Sequence, residues 1–281
     1  LGLYIYLQRL YCLLSDIVMT EDNFREHTIR QALSTKTFGH SLVFLDSTVS
    51  TMTEARKLVN NSAPEGTLVI AEEQTGGKGR FDRDWVSPHG VNLYISLILR
   101  PSTEVLVKLG IITSLALARV IDNFLPSYKS VSIKWPNDLR INKKKVAGIL
   151  IENHISDHQN HNYSIIGVGI NVNSQPIKTP SISAIATSVF QETNNVTNRV
   201  EFLKSFLKEL ENLYLNVLNY DSINREWKMY LDNIGDNITV RWGNYTYVGI
   251  AEDVDTNGSL ILRLQDGNIR TMPAGEVTLT V

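Results

Sequence analysis

The chain has 281 residues, 43% hydrophobic and 20% charged, and its 27 basic and 29 acidic side chains leave a net charge of −2. Those values exclude a disordered, collagen-like or disulfide-rich chain, and the near balance argues against holding nucleic acid by bulk electrostatics. The single cysteine, Cys12, allows no intrachain disulfide and no thiolate metal cluster, which fits a reducing compartment and a cytoplasmic protein.

Leu1 to Val18 is rich in Leu, Ile and Tyr, yet Arg9 and Asp16 interrupt it and no small-residue cleavage site follows. It is too short and too polar to span a bilayer, and no later stretch is apolar for long enough, so no membrane is expected. Met19-Thr20-Glu21 reads as a natural start, which makes residues 1–18 a misassigned start or a dispensable extension. A native N-terminal peptide beginning before Met19 would refute that reading.

Helical spacing covers Phe24 to Leu33, and Leu42–Leu45 reads as a buried strand. Thr51 and Glu54 have capping-box spacing at the start of a helix over Thr51–Asn60. Strands are predicted at Thr67–Ala71 and Val91–Leu99, on either side of a glycine-rich, charged loop, Gln74 to Arg83. Ser102 or Thr103 caps one long apolar helix that stops before Pro126. Val131–Lys134, Lys145–Glu152 and Tyr163–Val172 are strand-like, the last two separated by the polar loop Asn153–Asn162. Asn198 and Glu201 open an amphipathic helix to about Asn219, and a shorter helix covers Ile223–Leu231. Four short strands follow, Ile238–Trp242, Tyr245–Ala251, Ser259–Leu264 and Asn268–Met272, with Gly243-Asn244, Asn257-Gly258 and Asp266-Gly267 as turns. The expected organisation is an extension and helix over 1–40, an α+β domain over 41–232 and a small β-barrel over 233–281.

Three clusters could carry chemistry. Gly76-Gly77-Lys78-Gly79-Arg80 joins flexible backbone to cations, as an anion cradle requires, but composition alone favours a solvated surface loop. The loop is neither a Walker loop nor a dinucleotide turn. Lys134-Trp135-Pro136-Asn137-Asp138 is followed by Lys145, Ala147 and Gly148. Here Asn137 and Asp138 suit a cap or a turn that orients the next segment, and Lys145 by itself suits a snorkelling position more readily than catalysis. Gly167, Gly169 and Asn171 leave one strand face bare, for a ligand or for a tight backbone contact.

Taken in order, these segments resemble the biotin–protein ligases. The resemblance rests on Ser50-Thr51-Met52 with Glu54-Ala55, Glu73 to Arg80, Trp85-x-Ser87-Pro88, Asn92-Leu93-Tyr94 with Ser96, Lys134 to Asp138, Lys145-x-Ala147-Gly148-Ile149 and Gly167-x-Gly169-Ile170-Asn171. It covers about residues 41–281. It implies a class II synthetase-like, mixed-sheet catalytic fold with an SH3-like β-barrel behind it. It also implies formation of biotinyl-5′-AMP from biotin and ATP, then transfer of biotin to one lysine of a biotin carboxyl carrier protein.

By that resemblance Ser50, Thr51, Met52 and Gln74 hold biotin, with Gly148, Gly167 and Gly169 lining its slot. Gly77, Lys78, Gly79 and Arg80 close over the acyl-adenylate. Lys145 contacts the carboxylate and α-phosphate, and Asp138 helps the incoming amine. Lys78, Arg80, Trp85, Asn137, Lys145 and Asn171 lie at the nucleotide, and Mg²⁺ arrives with ATP. Two departures bear on adenylate retention: Lys78 replaces the family's first loop arginine, and Asp82 replaces a glycine. A lipoate or octanoate ligase is the enzymatic rival. A biotin-responsive repressor is the other, disfavoured because only some forty residues precede the catalytic core, without a basic stripe, so no nucleic-acid partner is expected. A homodimer is compatible with the resemblance.

Overall fold

The computed structural model describes residues 23–155, 162–217, 220–273 and 275–279. The expectations for residues 1–18, Cys12 and Met19, for most of the Asn153–Asn162 loop and for the helix end at Asn219 lie outside the described residues.

The chain opens with α1 (Glu26–Ala32), β1 (Leu42–Thr48), α2 (Thr51–Asn60), β2 (Leu68–Gln74) and β3 (Leu93–Leu99). There follow α3 (Thr103–Leu106), α4 (Leu109–Phe124), β4 (Val131–Lys134), β5 (Asp138–Ile141), β6 (Lys144–His154) and β7 (Tyr163–Ile170). Helices α5 (Val189–Thr193), α6 (Arg199–Leu215) and α7 (Tyr220–Tyr230) complete the larger layer. Seven strands form one sheet in the order β1-β2-β3-β7-β6-β5-β4, antiparallel except for the β1–β2 pair.

Alternation along the strands sorts the core into two layers. Leu68, Ile70, Ile166, Val168 and Ile170 face one way and pack with Ile112 and Leu115 of α4 and Phe202, Phe206 and Leu207 of α6. Val69, Ile98 and Ile165 face the other way, under Met52 and Ala55 of α2. Gly167 and Gly169 continue the Ile165 face, and Gly148 pairs with Gly169 across the ladder. On this face helix cover ends at Met52, and the bare glycine strip continues beyond it.

The terminal segment forms β8 (Asn237–Trp242), β9 (Tyr245–Val254), β10 (Leu260–Leu264), β11 (Ile269–Met272) and β12 (Glu276–Leu279), in the sheet order β11-β10-β9-β8-β12. Its Ile238, Val240, Leu260, Leu262 and Val277 belong to the same buried cluster as the α4 and α6 side chains. Among the described residues, no helix is long and apolar enough to cross a membrane.

Several local readings need correction. The residue that caps α2 is Ser50, not Thr51. Glu54 reaches Thr48 Oγ1 (3.1 Å) and Lys57 rather than closing a capping box, because the Thr51 N–H is taken by Gln74 Oε1 at 2.9 Å. The long helix after Ser102 breaks between α3 and α4, where the Lys108 ammonium sits 4.3 Å from the Tyr220 ring centre. Asp138 starts a strand, β5, instead of orienting a turn. The terminal module has five strands, since β12 pairs with β8 beyond the four expected.

Long-range polar contacts fix the loops that frame the sheet. Arg199 at the start of α6 is buried against Glu72 (2.6 Å) and donates to Asn92 O (3.1 Å), and Asn92 Oδ1 accepts from the N–H groups of Val172 and Ser174. The Glu211 carboxylate accepts the N–H groups of Lys36, Thr37 and Phe38 at 2.6, 2.7 and 3.0 Å. Burial alone would raise its pKa, but these donors hold it below the ordinary glutamate range. A depressed folded-state pKa stabilises the fold above the unfolded-state value, and that contribution fades as pH falls through the folded-state value. We therefore expect Glu211→Gln to cost about 1–3 kcal/mol at neutral pH, with the gap to the parent shrinking in acid. Urea unfolding at neutral and acid pH measures it, and a gap independent of pH would contradict the role given to the charge.

Candidate active site

The bare glycine strip floors a cavity of about 620 Å³, within the range of small-molecule sites. A Cβ on Gly167 would lie 2.7 Å from Met52 Sδ, and one on Gly169 would lie 2.5 Å from the Trp85 indole. A Cβ on Gly148 would meet Lys145 Cε at 2.9 Å. At Gly169 the rigid indole makes glycine a steric requirement, whereas at Gly148 and Gly167 a Cβ would have to displace the flexible ends of Lys145 and Met52.

At the β2 end, Gln74 Oε1 accepts from the N–H and hydroxyl of Thr51 at 2.9 and 3.2 Å, and Gln74 Nε2 donates to Ser87 Oγ at 3.1 Å. Ser96 Oγ donates to Thr51 Oγ1 at 2.8 Å. This lattice fixes the polar end of the cavity before any ligand enters. At the other end, Lys145 Nζ lies 2.6 Å from Asp138 Oδ1 and 5.1 Å from the Trp85 ring centre. The Lys145 main chain is held separately, by bonds from its N–H to Ile185 O (2.8 Å) and from Thr187 N–H to its carbonyl (2.9 Å).

The glycine-rich loop is ordered by rungs of its own: Gly79 N–H to Arg83 O (2.7 Å), Trp85 N–H to Gly77 O (2.9 Å) and a Lys78–Asp84 ion pair at 2.5 Å. That pair pulls the Asp84 carboxyl below its usual range and raises Lys78. Arg80 donates to Asn137 Oδ1 at 3.1 Å while Asn137 Nδ2 donates to Ile149 O at 2.7 Å, which ties the loop to the β4–β5 connection. Phe81 and Asp82 both have left-handed backbone, with φ of 57° and 56°. Aspartate tolerates that region better than most side chains, and a phenylalanine there is strained.

Among the residues singled out from sequence, Ser50, Thr51, Met52, Gln74, Lys78, Gly79, Arg80, Trp85, Asn137, Asp138, Lys145, Gly148, Gly167, Gly169 and Asn171 all line this cavity. Gly77 does not. It backs the wall, where a Cβ would lie 2.9 Å from Gln74, Ser87 and Trp85 atoms. Asn171 is pinned by Nδ2 to Thr187 O at 2.9 Å. Sequence reasoning gave no role to Asp84, Ser87 or Ser96, and passed over Arg140, Lys143, Ile185, Gly275 and Val277, which also line the cavity or brace it. Ser87 and Ser96 stood inside the quoted motifs. The last five carried no local signal, Gly275 and Val277 least of all, because they come from the terminal module.

The profile described as the Biotin/lipoate A/B protein ligase family matches residues 44–171, and that of the biotin protein ligase C-terminal domain matches residues 234–279. The biotin–[acetyl-CoA-carboxylase] ligase of Paracoccus denitrificans is 33% identical, over 83% of this chain and 98% of that protein. The chain belongs to the biotin/lipoate A/B protein ligase family. Its similarity to this ligase family extends to the bifunctional ligase/repressor BirA of Bacillus subtilis, 38% identical over 86% of this chain and 75% of that protein. The biotin protein ligase of Aquifex aeolicus, solved in complex with biotin and ATP, superposes with a TM-score of 0.71 at 27% identity, covering 86% of this chain and 99% of that one.

Proposed function

We propose that this chain is an ATP-dependent biotin–protein ligase, which joins biotin to AMP and then passes it to a lysine of a biotin carboxyl carrier domain. The observation that carries the reading is the cavity's polarity. A glycine floor runs from the Thr51–Gln74 lattice to the Lys145–Asp138 pair, so one site offers hydrogen bonds to a small head group and a fixed cation to an anion. Ser50, Thr51, Met52 and Gln74 would hold the biotin head, with its chain over Gly148, Gly167 and Gly169. Lys145 would neutralise charge as the carboxylate meets the α-phosphate. Asp138 would orient that lysine, then accept a proton from the attacking carrier amine. Trp85, Asn137 and Asn171 would border the nucleotide.

The cavity's carboxylates, Asp84 and Asp138, each already face a lysine, and the described residues hold no cluster of acidic, His or Cys side chains able to cage a metal. Magnesium would therefore enter with the triphosphate, on phosphate and water oxygens. A cytoplasmic location rests on the low cysteine content. Biotin-dependent ATP–pyrophosphate exchange tests the whole reading, run beside lipoate and octanoate. Exchange driven by either of those and not by biotin would overturn it.

Arg80→Gly is expected to spare exchange and to lose the intermediate. Without the bond to Asn137 the loop is no longer fastened over the site, so free biotinyl-AMP escapes and labels bystander amines. Labelling confined to the carrier, with no free adenylate, would count against this role for Arg80.

A further inference from the structure

The terminal module carries an aromatic face that the catalytic layer leaves uncovered. Side chains alternate along β8, so Ile238, Val240 and Trp242 point to the same side. The first two are fully buried in the shared core, whereas Trp242 is 42% exposed. In the β8–β9 register Trp242 pairs with Tyr245 and Val240 with Tyr247, which puts both tyrosines on that side. Tyr245 is 68% exposed, and its ring centre lies 6.2 Å from that of Tyr247. From β11 the exposed Arg270 brings its guanidinium 4.8 Å from the Tyr247 ring centre.

The place of this face in the fold gives it meaning. On its other edge β8 pairs with β12, with Val240 opposite Val277, and the same register continued by one step brings Trp242 opposite Gly275. Val277 and Gly275 both line the catalytic cavity. The aromatic face therefore begins where the cavity wall ends, and a protein that delivers a lysine into the cavity must cover the ground beside its mouth. Composition points the same way, because Trp, Tyr and Arg supply most of the energy at protein interfaces. The hairpin tip is closed by the two-residue turn Gly243-Asn244, with φ 58° at the glycine, so the face is formed before any partner arrives.

We propose that Trp242, Tyr245 and Arg270 form a docking face for the carrier domain during the second step. The inference rests on the ligase reading for the identity of the partner. Apolar side chains of the carrier, beside its target lysine, would cover Trp242 and Tyr245. A carrier carboxylate would meet Arg270, whose guanidinium is steadied by the Tyr247 ring. None of these three side chains lines the cavity, so the face takes no part in forming the adenylate. A contact built on three side chains is small for a permanent dimer, and it suits a partner that must leave after each transfer.

Transfer from the full chain to a purified apo carrier domain tests the face, run beside transfer to hydroxylamine, a nucleophile that needs no docking, and biotin-dependent pyrophosphate exchange. Trp242→Ala and Tyr245→Ala are each expected to raise the KM for the carrier about tenfold or more, while exchange and hydroxylamine transfer stay within about twofold of the parent. Arg270→Glu should raise the same KM and abolish the increase that added salt produces in the parent. Tyr245 is the more exposed of the aromatic pair, so its variant keeps the test valid should Trp242→Ala fold poorly. A carrier KM unchanged in both aromatic variants would overturn the docking face. So would exchange or hydroxylamine transfer falling as far as carrier transfer, or sedimentation showing that the variants lose a dimer which the parent forms. A parent that shows no biotin-dependent exchange would sink the ligase reading itself, whereas intact exchange with an unchanged carrier KM sinks the face alone.

Discussion

Lys145→Ala is expected to fold and yet to lose biotin-dependent ATP–pyrophosphate exchange by on the order of a hundredfold or more. The fold should survive because Lys145 is held through its main chain, between Ile185 O and Thr187 N–H, and its side chain is about one-third exposed. What goes is the one cation that Asp138 fixes at 2.6 Å over the glycine floor. The loss has two parts. Charge that develops between carboxylate and phosphate is no longer neutralised, and the Asp138 carboxylate, stripped of its partner, repels both anions. The double variant Lys145→Ala with Asp138→Asn separates them, since it removes the second part alone and should regain some exchange over the single variant. A folded Lys145→Ala protein that exchanges pyrophosphate near the parent rate would remove the lysine from the chemistry.

The site was legible in the sequence to the extent that its chemistry is local. Gly167 and Gly169 mark a bare strand face because side-chain alternation within a strand is a two-residue rule, Gly148 joined them only through the resemblance, and the Lys145 and Arg80 motifs are contiguous. Contacts between distant segments left no such trace. Gln74 and Thr51 are 23 positions apart, and only the structure shows that the amide takes the N–H which a capping box would have used. Glu72 and Arg199 are 127 positions apart, and neither has a sequence context that marks it for burial. The β5–β6 hairpin was missed because its turn, Asn142-Lys143, contains no glycine. β12 was missed because a four-residue strand near the end of the chain lacks a period long enough to read.

The Asp82 departure illustrates how the two levels inform each other. The resemblance places a glycine there, and the structure puts residue 82 at φ 56°, where a glycine would sit without strain. Aspartate keeps the loop's path at a cost in backbone freedom, and its neighbour Phe81 takes the same strained region.

Removing the terminal module, by ending the chain at Leu231, is expected to destabilise the catalytic layer and abolish ligation. Fifty residues bury little core alone, but here they cover part of another core. Trp135, 1% exposed, donates its main-chain N–H to Asn233 Oδ1 at 3.0 Å and its indole N–H to Gly258 O at 2.8 Å. Gly258 also packs so closely on Ile111 and Trp227 that a Cβ would lie 2.9 Å from Ile111 Cδ1. Uncovering these three side chains forfeits about 1.5–3 kcal/mol each, a large share of the roughly 5–15 kcal/mol that holds a domain together. The cavity would also lose Gly275 and Val277 from its wall, and Arg140 would lose Asp232. Residual biotin binding is the most that should remain, because the residues proposed to hold biotin all precede the cut. A module that serves only as a cover predicts something different: whatever folds should still ligate. Trp135→Phe in the full chain separates the two readings, since it keeps an aromatic ring buried while deleting the bond to Gly258 and leaving a small cavity where the larger indole packed. If that variant melts close to the parent temperature but transfers biotin more slowly, the joint positions the Asn137–Asp138 segment for the second step. A soluble fragment ending at Leu231 that biotinylates its carrier at the full-length rate would remove the module from the reaction altogether.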